Sequence, residues 1–141
     1  MRLLIDTHIL LWAAADELPP EAARYIQNMD NTLLFSPASI WEVVIKRSLG
    51  REDFSVDPAS FYSGLLSAGY IELPITGRHS LLVSTLPPLH KDPFDRILLA
   101  QAASEGIPFL TSDALLSQYP GSIIFSENTK TFNTSIRYKP G

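Results

Sequence analysis

Asp6, Glu42, Asp95 and Asp113 are carboxylates in places where a folding chain rarely leaves one. Asp6 ends the apolar run Leu3, Leu4, Ile5, and Asp113 follows Phe109-Leu110-Thr111-Ser112. Both positions read as carboxyl ends of strands, where open α/β sheets bind ligands. Each is equally suited to capping the next helix. Glu42 sits in Ala38-Ser39-Ile40-Trp41-Glu42-Val43-Val44-Ile45-Lys46, a helix apolar nearly all round. Ala38, Ile45 and Leu49 share its face, so the carboxylate should be at least half buried and needs a partner. That partner is either Lys46, one turn on at i+4, or a metal ion. Asp92 and Asp95 are three apart and face the same way at a helix start. Asp92 suits the N-cap ahead of Pro93. Asp95 falls in the first turn, where the helix dipole favours an acid, but it leads directly into a buried stretch.

Taken together, the four acids come from four separate segments. Carboxylates brought to one place repel one another and raise each other's pKa. A divalent cation removes that penalty, and an all-oxygen ligand set suits Mg²⁺ or Mn²⁺. Such ions polarise a phosphoryl oxygen, activate a water and stabilise a leaving oxygen. That is the chemistry of phosphodiester hydrolysis.

The elements that must position these acids alternate strand with helix. Arg2–Asp6 reads as a strand, Thr7–Ala15 as an apolar helix, and Glu21–Asn28 as a helix opened by Pro20. Strand Thr32–Phe35 leads through Ser36-Pro37 into a helix to Leu49, closed by Gly50. After a loop at 51–56, Asp57-Pro58 caps a helix ending near Gly69. A strand at Ile71–Leu73 and a helix from Thr76 to Thr85 follow. The helix Phe94–Glu105, strand Ile107–Leu110, a short helix from Asp113 to Gln118 and strand Ile123–Phe125 complete the series. This is the α/β pattern, a parallel sheet with helices on both faces. Residues 1–125 form one domain. The segment 126–141 is a polar tail, either loose or, from its alternating Phe132, Thr134, Ile136 and Tyr138, a late edge strand.

Composition narrows the classes further. A hydrophobic share of 45% with 18% charged residues excludes a disordered chain. No apolar run approaches the roughly 18 residues of a membrane span. The stretch from Met1 to Trp12 is interrupted by Asp6 and His8 and reads as strand and helix, not as a leader. The absence of cysteine excludes disulfides, thiolate metal sites and a cysteine nucleophile, and fits a cytoplasmic location. With 15 acids against 11 bases, the net charge of −4 advertises no nucleic-acid surface. Any handling of nucleic acid would then go through a local site and a metal. There is no phosphate-binding glycine loop and no G-x-S-x-G elbow. An aspartyl-phosphate phosphatase wants a second Asp two residues after the first, and that position is His8.

In this order and spacing, four segments resemble the PIN-domain ribonucleases, and more narrowly the toxins of VapBC-type toxin–antitoxin pairs. They are Leu-Leu-Ile-Asp-Thr-His at 3–8, Ser-Pro-Ala-Ser-Ile-Trp-Glu-Val-Val-Ile-Lys at 36–46, His-Lys-Asp-Pro-Phe-Asp-Arg-Ile-Leu-Leu-Ala-Gln-Ala at 90–102, and Leu-Thr-Ser-Asp at 110–113. The resemblance covers residues 1–125 and implies a three-layer PIN-like fold with an αα clip formed by the helices at 37–49 and 58–68. It implies an Mg²⁺- or Mn²⁺-dependent endoribonuclease whose metal-binding acids are Asp6, Asp95, Asp113 and Glu42, Glu42 either as a ligand or as a group positioning water. The products would carry 5′-phosphate and 3′-hydroxyl ends. Asp92 is an additional acid, and Thr7 and Thr111 match small hydroxyl positions beside the acids. Homodimers and a small antitoxin protein that lays a peptide near the acidic site are implied as partners, with DNA reached only through the antitoxin. The segment beyond Phe125 departs from the usual pattern. A PIN-fold binding module without nuclease activity is the other reading.

The remaining candidates divide between chemistry and packing. Arg96 either pairs with Asp92 at i+4 or contacts a substrate phosphate; Lys46 either holds Glu42 or touches RNA. His8 reads as a packing residue, and His79 and His90 lack metal-ligand spacing. Trp12 and Trp41, in apolar helices, read as core or dimer packing.

Overall fold

Strand β1 (Arg2–Ile5) is the centre of the molecule, and its three apolar residues are completely buried. Alternation along the strand sends Leu3 and Ile5 into one apolar cluster and Leu4 into the other. A strand covered on both faces reads as a continuous apolar run, which is how the sequence reads here. The structure is a computed structural model that describes residues 1–50, 54–89 and 91–127.

Among the described residues, five strands form one parallel sheet in the order β3-β2-β1-β4-β5: β2 (Thr32–Phe35), β3 (Ile71–Glu72), β4 (Phe109–Thr111) and β5 (Ile123–Phe125). From β1 the chain builds outward to β2 and β3 on one side, then returns to build β4 and β5 on the other. The change of direction lies between β1 and β4, the crevice where ligands bind in such sheets.

Helices α1 (Thr7–Ala14), α2 (Pro20–Ile26), α3 (Pro37–Ser48) and α4 (Pro58–Ser67) place Ile9, Leu10, Trp12, Ala22, Val43, Phe61 and Leu65 in the cluster that holds Leu3 and Ile5. Helix α6 (Pro93–Glu105) covers the other face with Leu98 and Leu99. The α3 and α4 helices pack on one another as the expected clip. Caps fix several of these boundaries. Ser36 accepts from the Ala38 N–H at 3.0 Å, and Asp57 accepts from Ser60 N–H at 3.0 Å. Gly106, at φ +66°, ends α6 while the Ile107 N–H reaches back to the Ala102 carbonyl.

Three sequence boundaries shift. Ile107 belongs to the C-cap of α6, so β4 begins at Phe109 and extends to Thr111. The helix expected from Thr76 to Thr85 is α5 (Gly77–Leu82) followed by a 3₁₀ turn at Val83–Thr85. The short helix expected from Asp113 is a 3₁₀ turn at Leu116–Gln118. Strand pairing continues one step into the segment read as a tail, because Ser126 N–H donates to the Thr111 carbonyl at 2.8 Å. The possible edge strand at 132–138 and part of the loop at 51–56 lie outside the described residues.

Candidate functional site

Asp6 occupies the carboxyl end of β1, at the change of direction in the sheet. Its N–H donates to the Leu110 carbonyl and its carbonyl accepts from Leu10 N–H, each at 3.0 Å, so strand β4 and helix α1 fix its backbone together. It holds the N-cap position of α1, but its side chain makes no capping bond. Instead Oδ2 accepts from the Thr111 hydroxyl at 2.6 Å. Thr111 Oγ1 also accepts from Asp113 N–H at 3.0 Å. One buried hydroxyl thereby links the ends of β1 and β4 and sets the backbone that carries Asp113. Asp113 partly serves the local role that the sequence left open, since its Oδ1 accepts from Leu115 N–H at 2.9 Å.

Glu42 is only 5% exposed. Both of its sequence-level readings find support. Lys46 Nζ lies 3.5 Å from Oε2, while Oε1 is buried without a hydrogen-bond partner among the described residues. The base of this helix is tied to α1 by Thr7 Oγ1 and Ser39 Oγ, 2.7 Å apart and both buried. Sequence reasoning did not single out Ser39. Its position three residues before Glu42, on the same helical face, was the available signal.

Asp92 is the N-cap of α6, accepting from Phe94 N–H at 2.8 Å and Asp95 N–H at 3.4 Å. Asp95 stands in the first turn, as expected. Arg96 is directed to the segment between α5 and α6. Its guanidinium donates to the carbonyls of Val83 and Pro87 at 3.0 Å and Leu86 at 3.5 Å, and to the Tyr119 hydroxyl at 3.4 Å. It fastens irregular backbone, a role that neither sequence reading anticipated.

The acids feel one another's charge across segments. Burial pushes the Asp6 carboxyl up; the Thr111 hydroxyl opposes this, while Glu42 and Asp113 add to it. Burial raises Asp95 as well, followed by Asp6, Asp92, Glu42 and Asp113. Glu42 is raised by burial, against the Lys46 ammonium and the Thr7 hydroxyl, and Asp92 raises it further. Each acid is thus within electrostatic reach of others from separate segments. No group of three or more His, Asp or Glu among the described residues is gathered closely enough to hold a metal ion as it stands. Like charges resist closer approach, and a cation's charge is what would relieve that resistance. The donor set is all oxygen, with an unpartnered buried oxygen on Glu42, and it fits a hard divalent cation.

The other candidates resolve as packing. His8 stacks on Trp12 with ring centroids 4.6 Å apart, and burial followed by the Lys46 charge lowers its pKa to about 4. His79 is almost fully buried. Its Nδ1 accepts from Thr76 N–H and its Nε2 meets Glu105 Oε2, each at 3.0 Å. His90 lies outside the described residues. Trp12 is core, as expected, but Trp41 is 62% exposed and meets Phe94 edge-on at 5.2 Å. An α3 surface that is apolar on nearly every side cannot turn every side inward.

The family model for the PIN domain matches residues 3–121. No curated protein matches the chain by sequence. Among solved structures, it is similar to VapBC2 from Rickettsia felis bound to a promoter DNA fragment, with 15% identity and a TM-score of 0.65 over 90% of this chain and 98% of that one. A toxin–antitoxin complex from Klebsiella pneumoniae gives 18% identity and a TM-score of 0.64, covering 89% and 99% of the two chains. DNA-bound VapBC from Salmonella typhimurium gives 14% and 0.63, covering 90% and 98%. At such identities these likenesses are of fold. The family match, which spans most of the sequence and includes all four acids, carries more: the chain belongs to the PIN domain family.

Proposed function

We propose that this chain is a metal-dependent endoribonuclease and the toxin of a VapBC-type toxin–antitoxin pair. What supports the nuclease reading is that Asp6, Glu42, Asp95 and Asp113 come from separate segments, that burial and neighbouring acids raise Asp6, Glu42 and Asp95, with Asp113 among the charges acting on Asp6 and Asp95, and that one buried Glu42 oxygen is unpartnered. Asp6, Asp95 and Asp113 would hold Mg²⁺ or Mn²⁺, with Glu42 as a further ligand or a group that positions water. Such an ion, when bound, supplies a Lewis acid for the phosphoryl oxygen and the leaving oxygen and lowers the pKa of water.

The protein's own groups orient that set. Thr111 holds one oxygen of Asp6. The Thr7 and Ser39 hydroxyls join α1 to the helix that carries Glu42. Asp92 caps α6 and so fixes the turn from which Asp95 projects. Residues 1–125 would be the catalytic unit.

The toxin reading draws on the fold neighbours, which are toxin–antitoxin assemblies, two of them with DNA. By this reading the chain acts in the cytoplasm, forms homodimers and binds a small antitoxin protein, reaching DNA only through it. No helix among the described residues is long and apolar enough to cross a membrane.

The test is cleavage of a pool of structured RNAs by wild type and Asp6→Asn, with Mg²⁺, Mn²⁺ or EDTA. Expected are cuts by wild type with either metal, none in EDTA, and a loss of roughly a hundredfold or more in the variant. Equal cleavage by Asp6→Asn removes Asp6 from the site. Saturable RNA binding without cleavage under any condition favours a binding module.

A further inference from the structure

The Lys46–Glu42 pair is unusual in its burial. The two side chains are 14% and 6% exposed, yet the ammonium stands 3.5 Å from a single carboxylate oxygen and leaves the other without a hydrogen bond. Buried beside Glu42, the ammonium gives up its hydration to offset a buried carboxylate, which a solvent-screened lysine on the surface could not do. Lys46 is thus a buried positive charge seated on one carboxylate of the acidic set.

We infer that Lys46 is a built-in counter-cation of the acidic site, which a divalent ion must push off Glu42, so that it weakens and gates metal binding. This rests on the divalent reading of the site given above. Its physical basis is competition. The ammonium and the ion seek the same carboxylate, and the two positive charges repel at close range. The lysine stem is flexible, so Nζ can swing away while its methylenes stay packed. With the ion absent, the ammonium offsets part of the repulsion among the acids. Once the ion binds, Lys46 is released toward solvent, where a polyanion such as RNA would meet it.

The experiment is a Mn²⁺ titration by calorimetry of wild type, Lys46→Met and Lys46→Arg, with amine acetylation at Lys46 followed by mass spectrometry. Lys46→Met keeps the apolar stem and should bind Mn²⁺ about tenfold more tightly than wild type. Lys46→Arg retains the charge and should stay near wild type. Acetylation of wild-type Lys46 should be slow in EDTA and rise several-fold with Mn²⁺. Equal or weaker binding by Lys46→Met overturns the inference while leaving the metal reading intact, as does acetylation indifferent to Mn²⁺. Absence of saturable Mn²⁺ binding in both wild type and Lys46→Met overturns both. If Lys46→Met does not fold, Lys46→Gln takes its place under the same criteria.

Discussion

Two polar clusters in this small domain are built on opposite terms. Around His79 the polar groups are matched. Thr76 Oγ1 accepts from His79 N–H at 3.2 Å, Thr76 N–H donates to Nδ1, and Nε2 therefore carries the proton that it gives to Glu105. A capping box and a hydrogen bond to a carboxylate share one imidazole, and α5 is fastened to α6. At the ends of β1 and β4 the polar groups are mismatched. Several carboxylates repel one another, a carboxylate oxygen lacks a hydrogen bond, and burial pushes Asp6, Glu42 and Asp95 toward their neutral forms. The polar groups of His79 are satisfied within the fold. Buried polarity left under tension marks a site whose missing partner comes from outside.

The sharpest way to break that contrast is to damage the matched cluster. His79→Ala removes a buried ring and strands the Thr76 N–H, so it should cost about 3 kcal/mol in urea unfolding, with cleavage per folded molecule retained. A loss of stability below about 1 kcal/mol, or a specific loss of cleavage, would mean that the two clusters are not different in kind.

Thr111→Val probes the mismatched cluster while conserving shape. It removes the donor to Asp6 Oδ2 and the acceptor for Asp113 N–H. Cleavage should fall about tenfold. The hydroxyl lowers the Asp6 pKa, so without it that pKa rises, and the acid limb of the pH–rate profile should move to higher pH. An unmoved limb would show that Thr111 acts only as packing.

The smallest effect has the most informative sign. The Asp95 carboxyl is raised above its ordinary 3.8, so above that pH the folded protein holds more protons than the unfolded chain. Its contribution therefore turns unfavourable as pH rises through and beyond that value. In EDTA, Asp95→Asn should be more stable than wild type by about 1 kcal/mol at neutral pH, with the gap closing toward pH 4. His8, lowered to about 4, titrates in the opposite sense, its contribution being lost as pH falls from 6.5 toward 4. It is present in both proteins and cancels in the difference. A variant less stable than wild type at neutral pH would place Asp95 among the matched groups.

Much of this was legible in the chain itself. The buried run Leu3, Leu4, Ile5 fixed the central strand because a strand covered on both faces has to be apolar at every position. Pro37, Pro58 and Pro93, each behind an Asp or Ser cap, marked three helix starts, because a proline's missing N–H costs nothing at a first helical turn. Glu42's burial followed from its apolar neighbours. These are local constraints, and local sequence carries them.

Tertiary structure decided the rest. Only the pairing of β1 with β4 brings Thr111 to Asp6 across 105 positions of sequence, and with that bond Asp6 gives up the capping role that its local sequence allows. Helical spacing relates Arg96 to Asp92, but only the folded chain brings its guanidinium the carbonyls of an irregular segment that no helical period describes. Trp41 and Val43 are both apolar residues of α3; the sheet lies on one side of that helix, so Val43 is buried and Trp41 is exposed. The sequence determined which elements form and which acids they carry, because those depend on near neighbours. Which acids share one field, and which polar groups are left unmatched within it, depends on distant segments meeting, and only the folded chain brings them together.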